Sequence, residues 1–315
     1  MNSSSRLFCL DTVMIDIVLR IAQVPESGSD VLASEHLITT GGGYNAMSAA
    51  ARQGVEAVYA GRFGRGPFSS IARTSLDHHN VTQPIEADET RDAGFCVALI
   101  DDDGERTFIT SPGAEGSLRS SDLSSLDVRS ADYVLVSGYN VMYPGSAEIV
   151  LEWLTGLSED VTVAFDPSNR VMDIPNANLR AVLERADWTL CNETEASLLT
   201  GKDTLQESVV ALAEQTGRAG VVVRHGESGC TVLTTGDEPI HVDGFKVTVV
   251  DTNGAGDTHS GVFLAELALG NDVIEAALRA NAGAAVAISV LGPASCPERN
   301  VISDMIKDSS KSSIS

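Results

Sequence analysis

The chain has 315 residues, 43% of them hydrophobic and 21% charged, and a formal net charge of −23. That composition supports a full globular core, and the charge argues against nucleic acid as a partner, because nothing would neutralise phosphates along a backbone. No apolar run reaches about 18 residues, so no membrane-spanning helix is predicted. The first residues, Met1 to Arg6, lack the apolar core of a signal peptide. Five scattered cysteines, Cys9, Cys96, Cys191, Cys230 and Cys296, form no CxxC pair, so they read as reduced thiols of a cytoplasmic protein. Lysine is scarce beside aspartate and glutamate, which fits either a high-salt habitat or simply an acidic, soluble surface.

In chain order, a strand-like run follows the N-terminus directly. Asp16 to Thr40 reads as strand, with Pro25 and Gly28 between its halves. Gly41-Gly42-Gly43-Tyr44-Asn45-Ala46 then leads into a helical run from Ala46 to Gln53. Gly94 to Ile109 reads as a hairpin that turns at Asp101-Asp102-Asp103-Gly104. These two strand-rich segments are expected to pair into a small separate sheet. From about residue 131 strands and helices alternate: Tyr133 to Val136, helix Ala147 to Leu157, Val161 to Phe165, Trp188 to Leu190, helix Glu193 to Leu199, Val221 to Val223. Such alternation predicts an α/β fold, a mostly parallel central sheet with helices on both faces, and it places ligands at the carboxyl ends of the strands. One domain over 1–306 is expected, with lid segments at about 16–40 and 94–110. The Ser- and Lys-rich residues 307–315 are expected to form a disordered tail.

The most informative stretch is Asp251-Thr252-Asn253-Gly254-Ala255-Gly256-Asp257-Thr258. It lies between a strand-like run, Phe245 to Val250, and a helical pattern carrying Val262, Phe263, Leu264 and Leu267. Small residues at a helix N-terminus leave backbone N–H groups free to face an anion, and the helix dipole favours negative charge there. Phosphoryl transfer needs such a cradle, and Asp257 could accept the proton of an attacking hydroxyl. The same residues could equally make only a tight turn and a cap. Asn192 and Glu195, in Asn192-Glu193-Thr194-Glu195, fall on one face of a helix start. One amide and one carboxylate suit a water-rich magnesium ion, and they suit a capping arrangement as well. The spacing of Gly41, Gly43 and Ala46 meets the loose dinucleotide fingerprint but follows no full strand–turn–helix unit. The P-loop pattern GxxxxGK[ST] is absent, since Asp203 follows Gly201-Lys202.

Together these motifs resemble the ribokinase-like, or PfkB, carbohydrate kinase family over nearly the whole chain. The resemblance implies a three-layer ribokinase-like fold with a small β-sheet lid, and ATP-dependent phosphorylation of a hydroxyl on a sugar or sugar-like molecule. A nucleoside kinase of the same fold is the nearest alternative, and a non-catalytic metabolite-binding paralogue is the alternative of another class. Asp257 would be the base, with Gly254, Ala255 and Gly256 as the anion hole. Asp16, Gly42, Gly43, Asn45, Asp166 and Arg170 would hold the acceptor. Asn192, Arg224, Gly226, Gly229 and Asn281 would hold ATP. Glu195 and Asn192 would hold Mg2+ through water, and Asp251, Asn253 and Ser295 would hold a monovalent cation such as K+. The lid would form a homodimer contact. Met14 stands where sugar-binding relatives often carry a polar residue, and His259 replaces the usual aromatic after the Asp-Thr pair.

Overall fold

The computed structural model describes residues 5–216, 218–292 and 295–312. The chain opens with β1 (Arg6–Leu10), β2 (Val13–Arg20), β3 (Glu35–Gly42), α1 (Tyr44–Arg52), β4 (Glu56–Tyr59) and α2 (Pro67–His78). There follow β5 (Phe95–Ile100), β6 (Arg106–Ser111), α3 (Ser120–Ser124), β7 (Tyr133–Ser137), α4 (Gly138–Met142), α5 (Ser146–Gly156), β8 (Thr162–Asp166) and α6 (Asn176–Arg185). Next come β9 (Trp188–Asn192), α7 (Glu193–Thr200), α8 (Leu205–Thr216), β10 (Gly220–Arg224), β11 (Gly229–Thr234) and β12 (Ile240–Asp243). The last three elements are α9 (Ala255–Ala268), α10 (Val273–Ala287) and α11 (Arg299–Ser312).

Eight strands form the central sheet in the order β12-β11-β10-β9-β8-β7-β1-β4. Its pairings from β10 through β4 are parallel, and β11 and β12 join antiparallel. The strands are apolar on both sides because helices cover both faces. In β1, Leu7 and Cys9 enter one core with residues of α1, α9 and α10, while Phe8 and Leu10 enter the other with residues of α5, α6 and α8. This is the predicted three-layer α/β architecture.

The two strand-rich segments form a second, four-stranded sheet in the order β3-β2-β5-β6. Alternation sorts its side chains. Asp16, Cys96 and Thr110 are cross-strand neighbours on the side facing the large domain, where all three line the main cleft.

Two expectations are corrected. Phe245 to Val250 is not a strand. It leaves the sheet edge after β12 and crosses to the end of α10, where the Val250 and Asp251 amides donate to the Ile288 carbonyl. Residues 307–312 are not an irregular tail but continue α11. Ile302, Met305 and Ile306, at helical spacing, seat that helix on the core. Residues 313–315 lie outside the described residues.

Candidate active site

Successive strands of the central sheet end in polar residues along one line. Asp11 follows β1, Ser137 ends β7, Asp166 ends β8, Asn192 ends β9 and Arg224 ends β10. All five line one cleft of about 1160 Å3 between the large domain and the lid sheet.

Gly254, the residue before α9, adopts φ 73°. A side chain there would also strike the Asn45 amide, 2.7 Å from the position of a Cβ, so both conformation and space demand glycine. The turn delivers Asp257 in the first turn of α9. The Asn45 amide nitrogen donates to Asp257 Oδ2 at 3.1 Å. Burial, and secondarily the charge of Asp166, raise the Asp257 carboxyl to about 6. Asn45 sits in the first turn of α1, so the glycine-rich stretch and the Asp251–Thr258 stretch, far apart in sequence, meet at this hydrogen bond.

Asn192 and Glu195 form a reciprocal capping box: Asn192 Oδ1 accepts the Glu195 amide and Glu195 Oε2 accepts the Asn192 amide, each at 2.8 Å. The capping geometry is therefore real, and Glu195 lines the cleft as well. Its carboxyl is raised by burial first and by the charge of Asp166 next. Asp166, expected beside the acceptor, is turned toward this end: its Oδ2 accepts from the Ser260 hydroxyl at 3.1 Å and pairs with Arg224 at 3.3 Å. Arg224 also donates to Ser260 Oγ at 2.8 Å and stands 3.9 Å from Glu195. This guanidinium is thus largely committed to neighbouring acids. Among the described residues no group of three or more His, Cys, Asp or Glu side chains forms a metal-ligand set.

The lid reaches into the same cleft. Asp16 Oδ2 accepts from Asn253 at 3.4 Å, and burial raises the Asp16 carboxyl to about 6. Gly41 leaves that carboxylate its space, since a Cβ there would lie 2.2 Å from Asp16 Oδ2. Arg106 on β6 pairs with Asp251 at 3.4 Å, while Asp251 also accepts the amides of Asn253 and Gly292. A monovalent cation at Asp251 would compete with that guanidinium. Ser295 is partly buried in the segment before α11. Arg170 lines the opposite wall of the cleft but pairs with Asp173.

At the far end of the cleft lie Gly226, Gly229, Phe245, Asn281 and Ala284. Asn281 is a wall-builder: its amide donates to the Val242 and Asp243 carbonyls at 3.0 and 3.1 Å, and its Oδ1 lies 3.1 Å from His259 Nε2. His259 is buried, which lowers its ring to about 3 and keeps it neutral. The cleft residues that sequence reasoning missed include Asp11 and Ser260. Asp11 carried the signal already used for Asp166, an acid at a strand's carboxyl end. Ser260 carried none.

Fold and cleft define an α/β protein with one cleft between a mostly parallel sheet domain and a small lid sheet. The chain belongs to the pfkB family of carbohydrate kinases, whose model matches residues 4–300. It is 29% identical over 303 residues to the uncharacterised sugar kinase YegV of Escherichia coli K12, covering 95% of this chain and 93% of that protein. It is 28% identical over 297 residues to an ATP-dependent ribose-1-phosphate kinase of Halopiger xanaduensis, covering 93% and 95%. Its fold matches Arabidopsis thaliana ribokinase, solved with ribose and ATP, at TM-score 0.83, 24% identity and coverage of 97% and 99%. Among the described residues no helix is long and apolar enough to cross a membrane.

Proposed function

We propose that the chain transfers a phosphoryl group from ATP to a hydroxyl of a sugar or sugar-like small molecule, in the cytoplasm. The observation that carries this reading is the position of Asp257. It lies in the first turn of a 14-residue helix, its carboxyl is raised to about 6, and it shares one cleft with Asp16 of the lid and Glu195 of α7. Asp257 takes the proton of the acceptor hydroxyl as that oxygen attacks. Asn45 holds the carboxylate in place through its 3.1 Å hydrogen bond. The backbone of Gly254-Ala255-Gly256, with the α9 dipole, faces the charge on the transferred group. The far end of the cleft, walled by Gly226, Gly229 and Asn281, receives the nucleotide.

Burial first, and the charge of Asp166 next, raise the carboxyls of both Glu195 and Asp257. That surplus of negative charge suits a divalent cation, and Glu195 and Asn192 would hold Mg2+ through water. Bound there, Mg2+ supplies positive charge that offsets the phosphate oxygens and these carboxylates. Glu195→Gln is expected to raise the Mg2+ concentration for half-maximal rate several-fold, with the capping bond kept by the amide oxygen. A magnesium titration unchanged from wild type would reduce the pair to a helix cap.

The test of the function is ADP release over a panel of sugars, polyols and nucleosides. Nucleosides belong in it because Met14 and Phe108 make part of the acceptor end apolar. ATP binding without turnover of any member would identify a metabolite-binding protein, and stabilisation by NAD but not by ATP with Mg2+ would overturn the reading altogether.

The lid also supports a homodimer. Ile38, Ile17, Val97 and Ile109 form one cross-strand row on the face turned away from the cleft. Ile38 and Ile109 are 50% and 60% exposed, an apolar row that a second copy would cover. Ile109→Lys is expected to yield monomers in sedimentation. A wild-type chain that already sediments as a monomer at micromolar concentration would remove the lid contact.

A further inference from the structure

We propose that Asp11 is a specificity-determining residue: its carboxylate accepts hydrogen bonds from acceptor hydroxyls beside the one phosphorylated, and it turns away acceptors that already carry a phosphate. This rests on the kinase reading of the cleft and deepens it to a substrate class, an uncharged sugar or polyol.

Asp11 follows β1, next to the β4 edge of the large sheet, and lines the cleft with Asp16 and Asp257. One oxygen, Oδ1, accepts the Thr12 amide at 2.6 Å. The fold keeps space for the other. A Cβ at Gly43 would lie 2.8 Å from Asp11 Cβ and 3.2 Å from its Oδ2, so a larger residue in the glycine run would displace this side chain. Among the described residues Asp11 forms no ion pair. Burial first, and then the negative charges of Asp257 and Asp166, raise its carboxyl to about 7, against hydrogen bonds from the Ser137 hydroxyl and the Thr12 amide. A desolvated carboxylate facing two others is a poor structural device, since removing the charge would relieve repulsion. It is a good hydroxyl receptor, because a carboxylate accepts stronger hydrogen bonds than a neutral oxygen.

The same arrangement decides against a phosphorylated acceptor. Asp11, Asp16 and Asp257 present three carboxylates to the acceptor. Arg224 is held by Asp166 and Glu195 in the buried wall, Arg170 is paired with Asp173 at the exposed rim, and Lys246 lines the cleft from the segment after β12. A dianionic phosphate on the acceptor would meet the repulsion of the three carboxylates at that end. Hydroxyls bring no such charge.

The experiment is steady-state kinetics of the full chain with D-ribose, D-fructose, ribitol, myo-inositol and ribose 1-phosphate, for wild type, Asp11→Asn and Asp11→Ser. Nucleotide binding is measured alongside with a non-hydrolysable ATP analogue and Mg2+. Wild type is expected to use an uncharged member with kcat/KM at least tenfold above that for ribose 1-phosphate. Both variants should keep analogue binding within about twofold, since the nucleotide lies at the other end. Their KM for the uncharged acceptor should rise about tenfold or more, the loss of one strong hydrogen bond, and the preference over ribose 1-phosphate should shrink. Unchanged acceptor KM in both variants, or a wild-type preference for ribose 1-phosphate, overturns the proposal. Analogue binding without turnover of any member overturns the substrate class named here, whereas failure of wild type to bind the analogue overturns the kinase reading itself.

Discussion

Asp257→Asn is expected to lower kcat by about 10²- to 10⁴-fold, the usual contribution of general base catalysis, while the dissociation constant for ATP stays near that of wild type. Asparagine keeps the side chain's shape and can still meet Asn45, so the turn should hold. What disappears is the proton acceptor. The variant therefore separates chemistry from binding: a structural role would disturb both, whereas a base acts on kcat. The pH dependence gives a second readout. A base works deprotonated, and burial raises the Asp257 carboxyl to about 6. Activity should accordingly be full above that pH and fall as pH drops through about 6, well above where an exposed aspartate would titrate. Asp16, also raised to about 6, and Asp11, raised to about 7, titrate in the same cleft. The acidic limb thus belongs to the group rather than to one residue. In Asp257→Asn the residual rate should lose the share of that limb due to residue 257 and keep the share due to Asp16 and Asp11. Near-normal kcat in the variant would end the assignment.

Asp16→Ala should act on the other substrate. Asp16 comes from the lid strand β2, yet its carboxylate lies within reach of Asn253, two residues before Gly256-Asp257's turn begins at Ala255. On the proposed reading it holds acceptor hydroxyls against the Gly254–Asp257 turn. Its loss should raise acceptor KM by about tenfold or more and also lower kcat, because a misoriented hydroxyl forfeits near-attack geometry. The KM for ATP should stay close to normal, since Asn281, Gly226 and Gly229 belong to the far wall. Two-substrate kinetics with an identified acceptor decides the matter. If only the ATP constant moves, or neither does, Asp16 is a lid residue without a role in binding and the acceptor end has been misplaced.

Much of this protein was legible from local chemistry. Alternating β-branched runs and helical stretches determined the mostly parallel sheet, because strands buried on both faces must be apolar throughout. The hairpin at Gly94 to Ile109 followed from its turn residues, and it pairs as expected. The segment after β12 misled, because Val247, Val249 and Val250 have strand propensity but no neighbouring strand to pair with at that edge. The tail misled in the opposite way. Serine and lysine suggest disorder, but Ile302, Met305 and Ile306 anchor α11, and the helix runs on to Ser312.

By itself, then, the sequence determined the layers, the lid and the glycine turn ahead of Asp257, since each depends on residue periodicity or on backbone conformations that few residues tolerate. Only the tertiary structure decided how the polar residues divide among tasks. Parallel strands from distant parts of the chain end side by side, so Asp11, Asp166, Asn192 and Arg224 became neighbours through sheet order rather than sequence spacing. Sheet order set Asp166 against Arg224. It turned Asn281 onto the backbone of β12, and it left Asp11 facing the cleft beside two other carboxylates. Hydrogen bonds and charge pairs act over a few ångströms, and which side chains come that close is fixed by packing, which no local pattern records.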